Sequence, residues 1–240
     1  MPEIKDKILL GQVVKGDRRG RQLGFPTANL DPSHTVVISG ALLSAVAFGK
    51  EENTHCESGL QTGKLLKDAI RRTLTQENLS LADPLSSDKV FLFVHALLRE
   101  IFAADGPSAF QKEELTDQFL AEEILNYFKG KSVVLAKEAP ASGIPELSVM
   151  SDGVYAAVAG GVSAEILPAA VSVGTREQFY DRGIRITEAH LIGVELDLYD
   201  RLLCLHVKYF IRAQRKFSSM IELISAIEND VEESKRLLSM

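Results

Sequence analysis

The sequence predicts a mainly β chain interrupted by a long helical segment, and so an α+β protein overall. Runs of β-branched and aliphatic residues occupy both ends of the 240-residue chain, separated by turn-like breaks. Helical periodicity occupies the middle. Between the middle and the second β region, residues 139–145 are rich in Pro, Ser and Gly, a composition typical of a linker.

Each element follows from a local pattern. The strand candidates are residues 7–14, 24–30, 153–159, 167–173, 184–196 and 202–211, with a short one at Ser132–Ala136. Amphipathic helices are expected at 60–76, 86–103 and 111–129, separated by Pro84 and by Gly106–Ser108. A last helix begins near Ser219, which forms a plausible capping box with Glu222, and has an apolar stripe from Phe217 to Leu238.

Composition excludes several classes of protein. A net charge of −6 argues against a general nucleic-acid binder. No apolar run approaches the length of a membrane span, so no membrane partner is expected. Cys56 and Cys204 lack metal-type spacing and are read as reduced thiols. A soluble, cytoplasmic protein is expected.

The stretch Gly11–Leu30 has several features suited to holding a polyphosphate. Gly16 and Gly20 allow the backbone to approach a ligand closely, and the segment is rich in Lys and Arg. Thr27 and Asn29 are oxygen donors two positions apart, so in an extended segment they point to one face, as a shared Mg²⁺ requires. The alternative is a basic surface hairpin, because the Lys-Ser/Thr ending of a Walker loop is missing.

Glu188 occupies an unusual place in the run 184–196. In an alternating strand, Glu188 would face the same side as Ile184, Ile186, His190, Ile192, Val194 and Leu196. A carboxylate on an apolar strand face is costly unless it lines a cavity or meets a cation. The alternative is a buried Glu satisfied by a Lys, an Arg or a backbone donor.

The stretch Gly11–Leu30 resembles the N-terminal signature of the riboflavin kinase (flavokinase) family, in which a Gly/Arg loop leads into Gly-Phe-Pro-Thr-Ala-Asn. Further segments resemble that family in the same order: Gly153–Tyr155, Ser172–Arg176, Thr187–Leu191, Asp197–Tyr199, Arg212 and Lys216–Phe217. The resemblance implies a closed antiparallel six-stranded barrel with a C-terminal helix. That barrel would be discontinuous, formed by residues 1–33 and 150–240, around a helical insertion at 34–149 with a core of its own.

The resemblance also implies an activity and a site. The activity is transfer of the ATP γ-phosphoryl group to the 5′-hydroxyl of riboflavin, giving FMN and ADP. Glu188 matches the catalytic base, and Thr27 and Asn29 match the positions that hold Mg²⁺ (or Zn²⁺ or Mn²⁺) and phosphate. The nucleotide positions are Gly16, Gly20, Arg21, Thr27 and Tyr199, and the flavin positions are Arg212, Arg215 and Phe217.

Local alternatives accompany the flavin positions. Arg212 and Arg215 flank a helix start and are equally explained by solvation or by pairing with Glu222. Phe217 is also explained by core packing, and His190 is read as a structural histidine rather than a proton relay.

Three departures from the family pattern fall at Arg18, at Glu177–Gln178 and at Asp200. None removes a residue that the chemistry requires. No nucleotidyltransferase signature precedes the kinase segment, so adenylylation of FMN is not expected. The rival readings are a silent flavin or nucleotide sensor, and an interaction protein that binds a partner through the helical insertion. A monomer is expected.

Overall fold

The computed structural model describes residues 7–17, 19–48, 57–80, 85–102, 117–138, 150–176 and 184–239. Its strands are β1 (Lys7–Val14), β2 (Ala28–Ile38), β3 (Gly153–Gly160), β4 (Leu167–Arg176), β5 (Ile184–Leu191) and β6 (Leu202–Arg212). Its helices are α1 (Arg19–Gln22), α2 (Gly40–Phe48), α3 (Glu57–Gln76), α4 (Ser87–Phe102), α5 (Asp117–Glu138) and α6 (Met220–Leu237).

The strands form a closed antiparallel barrel in the order β1-β2-β5-β4-β3-β6, which confirms the expected architecture. Closure is visible at β1, where Ile8 pairs with Ile38 of β2 on one side and with His206 of β6 on the other. Small and branched side chains fill the interior, as in other small barrels. They include Val13, Leu30, Ala157, Ala169, Ala189 and Leu203.

The strand bounds differ from the expected ones at two places. The second strand begins at Ala28 and runs to Ile38, because the residues beyond Leu30 extend its pairing with β1. The strand expected at 184–196 ends at Leu191. Ile192 and Gly193 form a turn there, and Gly193 has φ +82°, a conformation that favours glycine.

One expectation about the helical middle is wrong, and one helix was missed. The short strand expected at Ser132–Ala136 lies within α5, where the helix overrides the weak β propensity of a few branched residues. Helix α2 was not expected at all. Its sequence, GALLSAVAF, is apolar on nearly every side, so it shows no amphipathic period, and Leu42, Leu43 and Val46 are fully or almost fully buried.

The helices α2–α5 share a core with the barrel instead of forming a separate one. Alternate residues of β1 face opposite ways: Leu9 packs inside the barrel, whereas Ile8 and Leu10 pack outwards against the helices. Each fully buried Leu or Phe in this layer contributes about 1.5–3 kcal/mol. The barrel strand β2 also crosses the expected boundary at residue 33. We keep the discontinuous organisation as a proposal, with α2–α5 as the insertion.

Helix α4 is fixed to the barrel by polar contacts as well. Lys208 of β6 donates to Asp88 over 2.8 Å, and the bond with Lys208 lowers the pKa of the Asp88 carboxyl. In the middle of the helix, the backbone N–H of Gly161 donates to Nδ1 of His95 over 3.0 Å. Gly161 has φ +87°, a conformation that strains other residues, and a Cβ there would lie 2.4 Å from Cδ1 of Leu98, so the Leu98 side chain would have to move.

The His95 contact predicts a pH dependence of stability. Burial, followed by the nearby Arg99, lowers the pKa of His95 below its ordinary value of 6.5. Below pH 6.5 the unfolded chain therefore takes up a proton that the folded chain resists. We expect this contribution to be complete above pH 6.5 and to be lost as the pH falls towards the lower folded pKa.

The measurement is the free energy of urea unfolding at several pH values, for the wild type and for His95→Asn. Asparagine keeps an acceptor for the Gly161 N–H but does not titrate in this range. The stability advantage of the wild type should shrink as the pH is lowered from 7.5 to 5.5. A constant difference between the two proteins would contradict the role given to His95.

Helix α6 packs against β3, β4 and β6 of the barrel and begins as the sequence predicts. The hydroxyl of Ser219 accepts from the backbone N–H of Glu222, while the Glu222 carboxylate accepts from Ser218. The expected apolar stripe is only partly covered, because Met220 and Ile221 are exposed. Among the described residues, no helix is long and apolar enough to cross a membrane.

Candidate active site

Three strands place polar side chains in one row on the outside of the barrel. Asn29 of β2 lies opposite Glu188 of β5, and Glu188 lies opposite Ser172 of β4. Directly opposed residues point to the same side of a sheet, with Cβ atoms about 5 Å apart. The adjoining pair, Ala28 and Ala189, is buried in the barrel interior. Glu188 therefore lies on the outer face of the barrel. Its apolar neighbours in the sequence had suggested a face directed to the barrel core.

The row opens into a cleft between the barrel and α6, which we call the Glu188 cleft. The cleft holds about 1000 Å³ of empty space, its open mouth included. Six of the predicted site residues line it: Gly20, Thr27, Asn29, Glu188, Arg212 and Phe217. Its apolar walls are Leu23, Phe25, Val154, Ala170, Leu223 and Ile227.

Two glycines position the oxygen donors of the opening loop. A Cβ at Gly16 would lie 2.4 Å from the Asn29 amide nitrogen, so only glycine leaves room for that side chain. A Cβ at Gly20 would lie 2.4 Å from the Phe25 carbonyl oxygen and 3.3 Å from the Thr27 hydroxyl. The Phe25 N–H also donates to the Gly20 carbonyl over 2.8 Å. The loop is thus packed directly against Thr27 and Asn29.

Of the predicted flavin residues, Arg212 and Phe217 line the cleft and Arg215 lies beside Phe217. Arg212 makes two hydrogen bonds of 2.8 and 2.7 Å to the carboxylate of Asp230, which is buried on α6. The guanidinium groups of Arg212 and Arg215 lie 5.5 and 4.8 Å from the centre of the Phe217 ring. Nη1 of Arg215 also lies 3.8 Å from Oε1 of Glu222, which is the ion pair considered as an alternative in the sequence analysis. Arg215 is not among the residues that line the cleft.

A second pocket adjoins the first, and we call it the Tyr199 pocket. It holds about 780 Å³ of empty space, its mouth included, and is lined by Arg21, Thr27 and Tyr199 among others. Its apolar lining residues are Val13, Pro26, Ala28, Leu191, Val194 and Leu198. Lys15 lies 5.8 Å from the centre of the Tyr199 ring. Thr27 lines both pockets and so stands at their junction.

Sequence reasoning missed several polar residues of the cleft, among them Asp17, Ser172, Gln214 and Asp230. Gln214 donates to the Ser172 hydroxyl over 2.8 Å and to the Val173 carbonyl over 3.2 Å. Asp230 had a signal, since it lies next to the apolar stripe of α6 where a carboxylate needs a partner. Gln214 had none, because its partners lie about 40 residues earlier in the chain.

His190 has a structural contact, as the sequence reading expected. Its Nδ1 lies 2.9 Å from the Pro26 carbonyl oxygen, which can only accept, so Nδ1 carries the proton. Its ring also meets Phe25 edge-on, with centres 5.5 Å apart. This histidine therefore holds the Pro26–Thr27 segment against β5.

Of the three departures from the family pattern, only Asp200 falls within the described residues. Its φ is +65°, a left-handed conformation in which glycine is favoured and Asp is tolerated better than most residues. Its N–H donates to the Val13 carbonyl over 2.9 Å. The turn is therefore formed with Asp in place of Gly. Arg18 and Glu177 lie outside the described residues.

Comparison with known proteins identifies the family of this chain. The family model described as Flavokinase: Riboflavin kinase matches residues 6–96 and 135–238. The chain belongs to the riboflavin kinase family. The two matched segments together cover more than half of the chain, and they contain every predicted site residue.

Individual relatives agree with this assignment. Over 180 residues the chain is 28% identical to the bifunctional riboflavin kinase/FMN adenylyltransferase of Escherichia coli K12, covering 74% of this chain and 46% of that protein. It is 30% and 29% identical to the riboflavin kinases of Mus musculus and Homo sapiens over 108 residues, covering 42% of this chain and 69% of each. The chain thus spans about half the length of the bacterial relatives that it matches.

Proposed function

We propose that this chain is a riboflavin kinase that transfers the γ-phosphoryl group of ATP to the 5′-hydroxyl of riboflavin, giving FMN and ADP. The observation that carries the proposal is the position of Thr27 at the junction of two adjoining pockets, beside the row of Asn29 and Glu188. Phosphoryl transfer requires two substrates held end to end, with the acceptor in line with the transferred group. A nucleotide in one pocket and riboflavin in the other would meet at this junction.

The Tyr199 pocket suits the nucleotide. It offers apolar walls for a base and the guanidinium of Arg21 for phosphate, and Lys15 lies nearby. Gly16 and Gly20 border the phosphate end, since Gly16 lies against Asn29 and Gly20 lies against Thr27. We propose that the polyphosphate runs from Arg21 to Thr27.

The donor set at the junction suits a hard divalent cation. Mg²⁺ is commonly held by only one or two protein oxygens together with substrate phosphates, and Thr27 and Asn29 line the same cleft with such oxygens. No cluster of three His, Cys, Asp or Glu residues occurs in the described part of the chain, so the fit is to a shared site rather than a protein cage. When bound, the cation would neutralise charge on the transferred group.

The Glu188 cleft suits riboflavin. Leu23, Phe25, Leu223 and Ile227 provide an apolar cover for a planar ring system, with Phe217 at the end of the cleft. Glu188 lies in the middle of the polar row, next to Asn29. We propose that Glu188 accepts the proton of the riboflavin 5′-hydroxyl while Asn29 and Thr27 hold the phosphoryl group.

The rival proposal is a binder that has lost turnover and acts through its helical insertion. The grouping of Thr27, Asn29 and Glu188 favours the kinase, because a pure binder has no need of a base at this place. Incubation of the purified chain with riboflavin, ATP and Mg²⁺, followed by chromatography, separates the two. FMN formation is expected, and bound riboflavin without any FMN would support the sensor instead.

A further inference from the structure

An ion pair crosses the mouth of the Tyr199 pocket. Nη2 of Arg21, on α1, lies 3.1 Å from Oε1 of Glu195, in the loop that follows β5. Both residues line the pocket, and their side chains are 61% and 68% exposed. The pair is therefore a single contact at the surface, between two segments that border the same space.

The chemistry of Arg21 suits a different acceptor. A guanidinium presents several N–H groups in a planar fork, and it binds phosphate oxygens in pairs. Its contact with Glu195 uses only one of these nitrogens, and it carries the charge of a single carboxylate. A nucleotide polyphosphate offers more charge and more acceptor oxygens in the same pocket.

We infer that Glu195 competes with the nucleotide polyphosphate for Arg21 and thereby sets the nucleotide affinity. This inference deepens the proposed function, because it takes the Tyr199 pocket as the nucleotide site. Glu195 acts through Arg21 and is a positioning residue. By holding Arg21, Glu195 weakens the binding of ATP and of ADP. Weaker binding of ADP would favour its release as product.

The size of the effect follows from the exposure of the pair. Exposed ion pairs change an equilibrium constant by about 1.4- to 5-fold, and the change decreases as salt is added. We therefore expect Glu195→Gln to lower the dissociation constant of Mg-ATP by about this factor. The gain should shrink between low and high KCl concentration.

The test is a double-mutant cycle on the intact chain. Dissociation constants of Mg-ATP and Mg-ADP are measured by calorimetry for the wild type, Glu195→Gln, Arg21→Gln and the double variant. Arg21→Gln should weaken binding. In that background the Glu195 substitution should have no further effect, because there is no guanidinium left to release. Glu77→Gln, which removes an exposed charge outside both pockets, is the matched control and should change nothing.

Three results would overturn the inference. Weaker Mg-ATP binding by Glu195→Gln would show that Glu195 orients Arg21 for the phosphate. Equal tightening in both backgrounds would show that Glu195 only repels the polyphosphate through its charge. Absence of Mg-ATP binding by the wild type would show that the Tyr199 pocket is not a nucleotide site.

The two proposals fail separately. A chain that binds Mg-ATP with the expected pattern but forms no FMN would contradict the kinase function and leave the role of Glu195 in place. FMN formation without that pattern would contradict the role of Glu195 alone.

Discussion

Glu188→Gln is expected to lower the rate of FMN formation by about 10²–10⁴-fold, the usual contribution of a general acid or base. Glutamine keeps the shape of the side chain and a hydrogen-bonding oxygen, but it cannot take the proton of the acceptor hydroxyl. The apolar walls of the Glu188 cleft are unchanged, so riboflavin should bind nearly as before. The measurements are initial rates of FMN formation and riboflavin binding by quenching of its fluorescence.

The matched control is Glu228→Gln, which makes the same change at an exposed position of α6 outside the cleft. This variant should keep the wild-type rate. A normal rate in Glu188→Gln would show that the base has been assigned wrongly. Loss of riboflavin binding together with activity would assign Glu188 to substrate binding instead.

Gly16→Ala is expected to lower the rate by about 10²-fold, because a misplacement of about 1 Å in a reacting group has an effect of this order. The new methyl group would lie 2.4 Å from Nδ2 of Asn29 and 2.6 Å from its Cγ, so Asn29 must move. Gly16 is only half-buried, and the change should leave the free energy of unfolding close to the wild-type value. The measurements are the kinetics of FMN formation and urea unfolding.

Gly130→Ala is the control for this change. Gly130 lies in α5, and in the described part of the chain an added Cβ would meet no atom within 4 Å apart from the helix's own backbone and the adjoining residues, so alanine should raise stability through helix propensity and leave the rate unchanged. Asn29→Ala should reproduce the loss seen in Gly16→Ala, and the double variant should be no slower than Asn29→Ala. Additive losses would show that Gly16 does not act through Asn29.

The strands were largely predictable because alternation and turn residues are local signals, whereas closure into a barrel was expected only from the resemblance to the family. The runs at 7–14, 153–159 and 202–211 match β1, β3 and β6 to within a residue at each end. Helix α2 and the long C-terminal part of α5 were not predictable in the same way. The residues of α2 are apolar without a clear period, and the C-terminal part of α5 contains β-branched residues, so neither segment has a clear local helix signal.

Part of the lining of the Glu188 cleft was predictable from the sequence, but the geometry of the cleft was not. The resemblance to the family pointed to Thr27, Asn29 and Glu188, and all three line one cleft in the structure, where Asn29 of β2 lies opposite Glu188 of β5. The orientation of the Glu188 face was not predictable, because barrel closure decides which face is inside. The Arg212–Asp230 pair depends on how α6 crosses the barrel, which no local pattern records.

The arrangement of the two pockets around Thr27 leads to one decisive measurement. ATP labelled in the γ-phosphate is incubated with riboflavin, Mg²⁺ and the chain, and the label is followed through chromatography. The label should appear in FMN, in equal amount to the ADP formed, and not in inorganic phosphate. Release of labelled phosphate without labelled FMN, or no release of label at all, would contradict transfer of the phosphoryl group to riboflavin at this site.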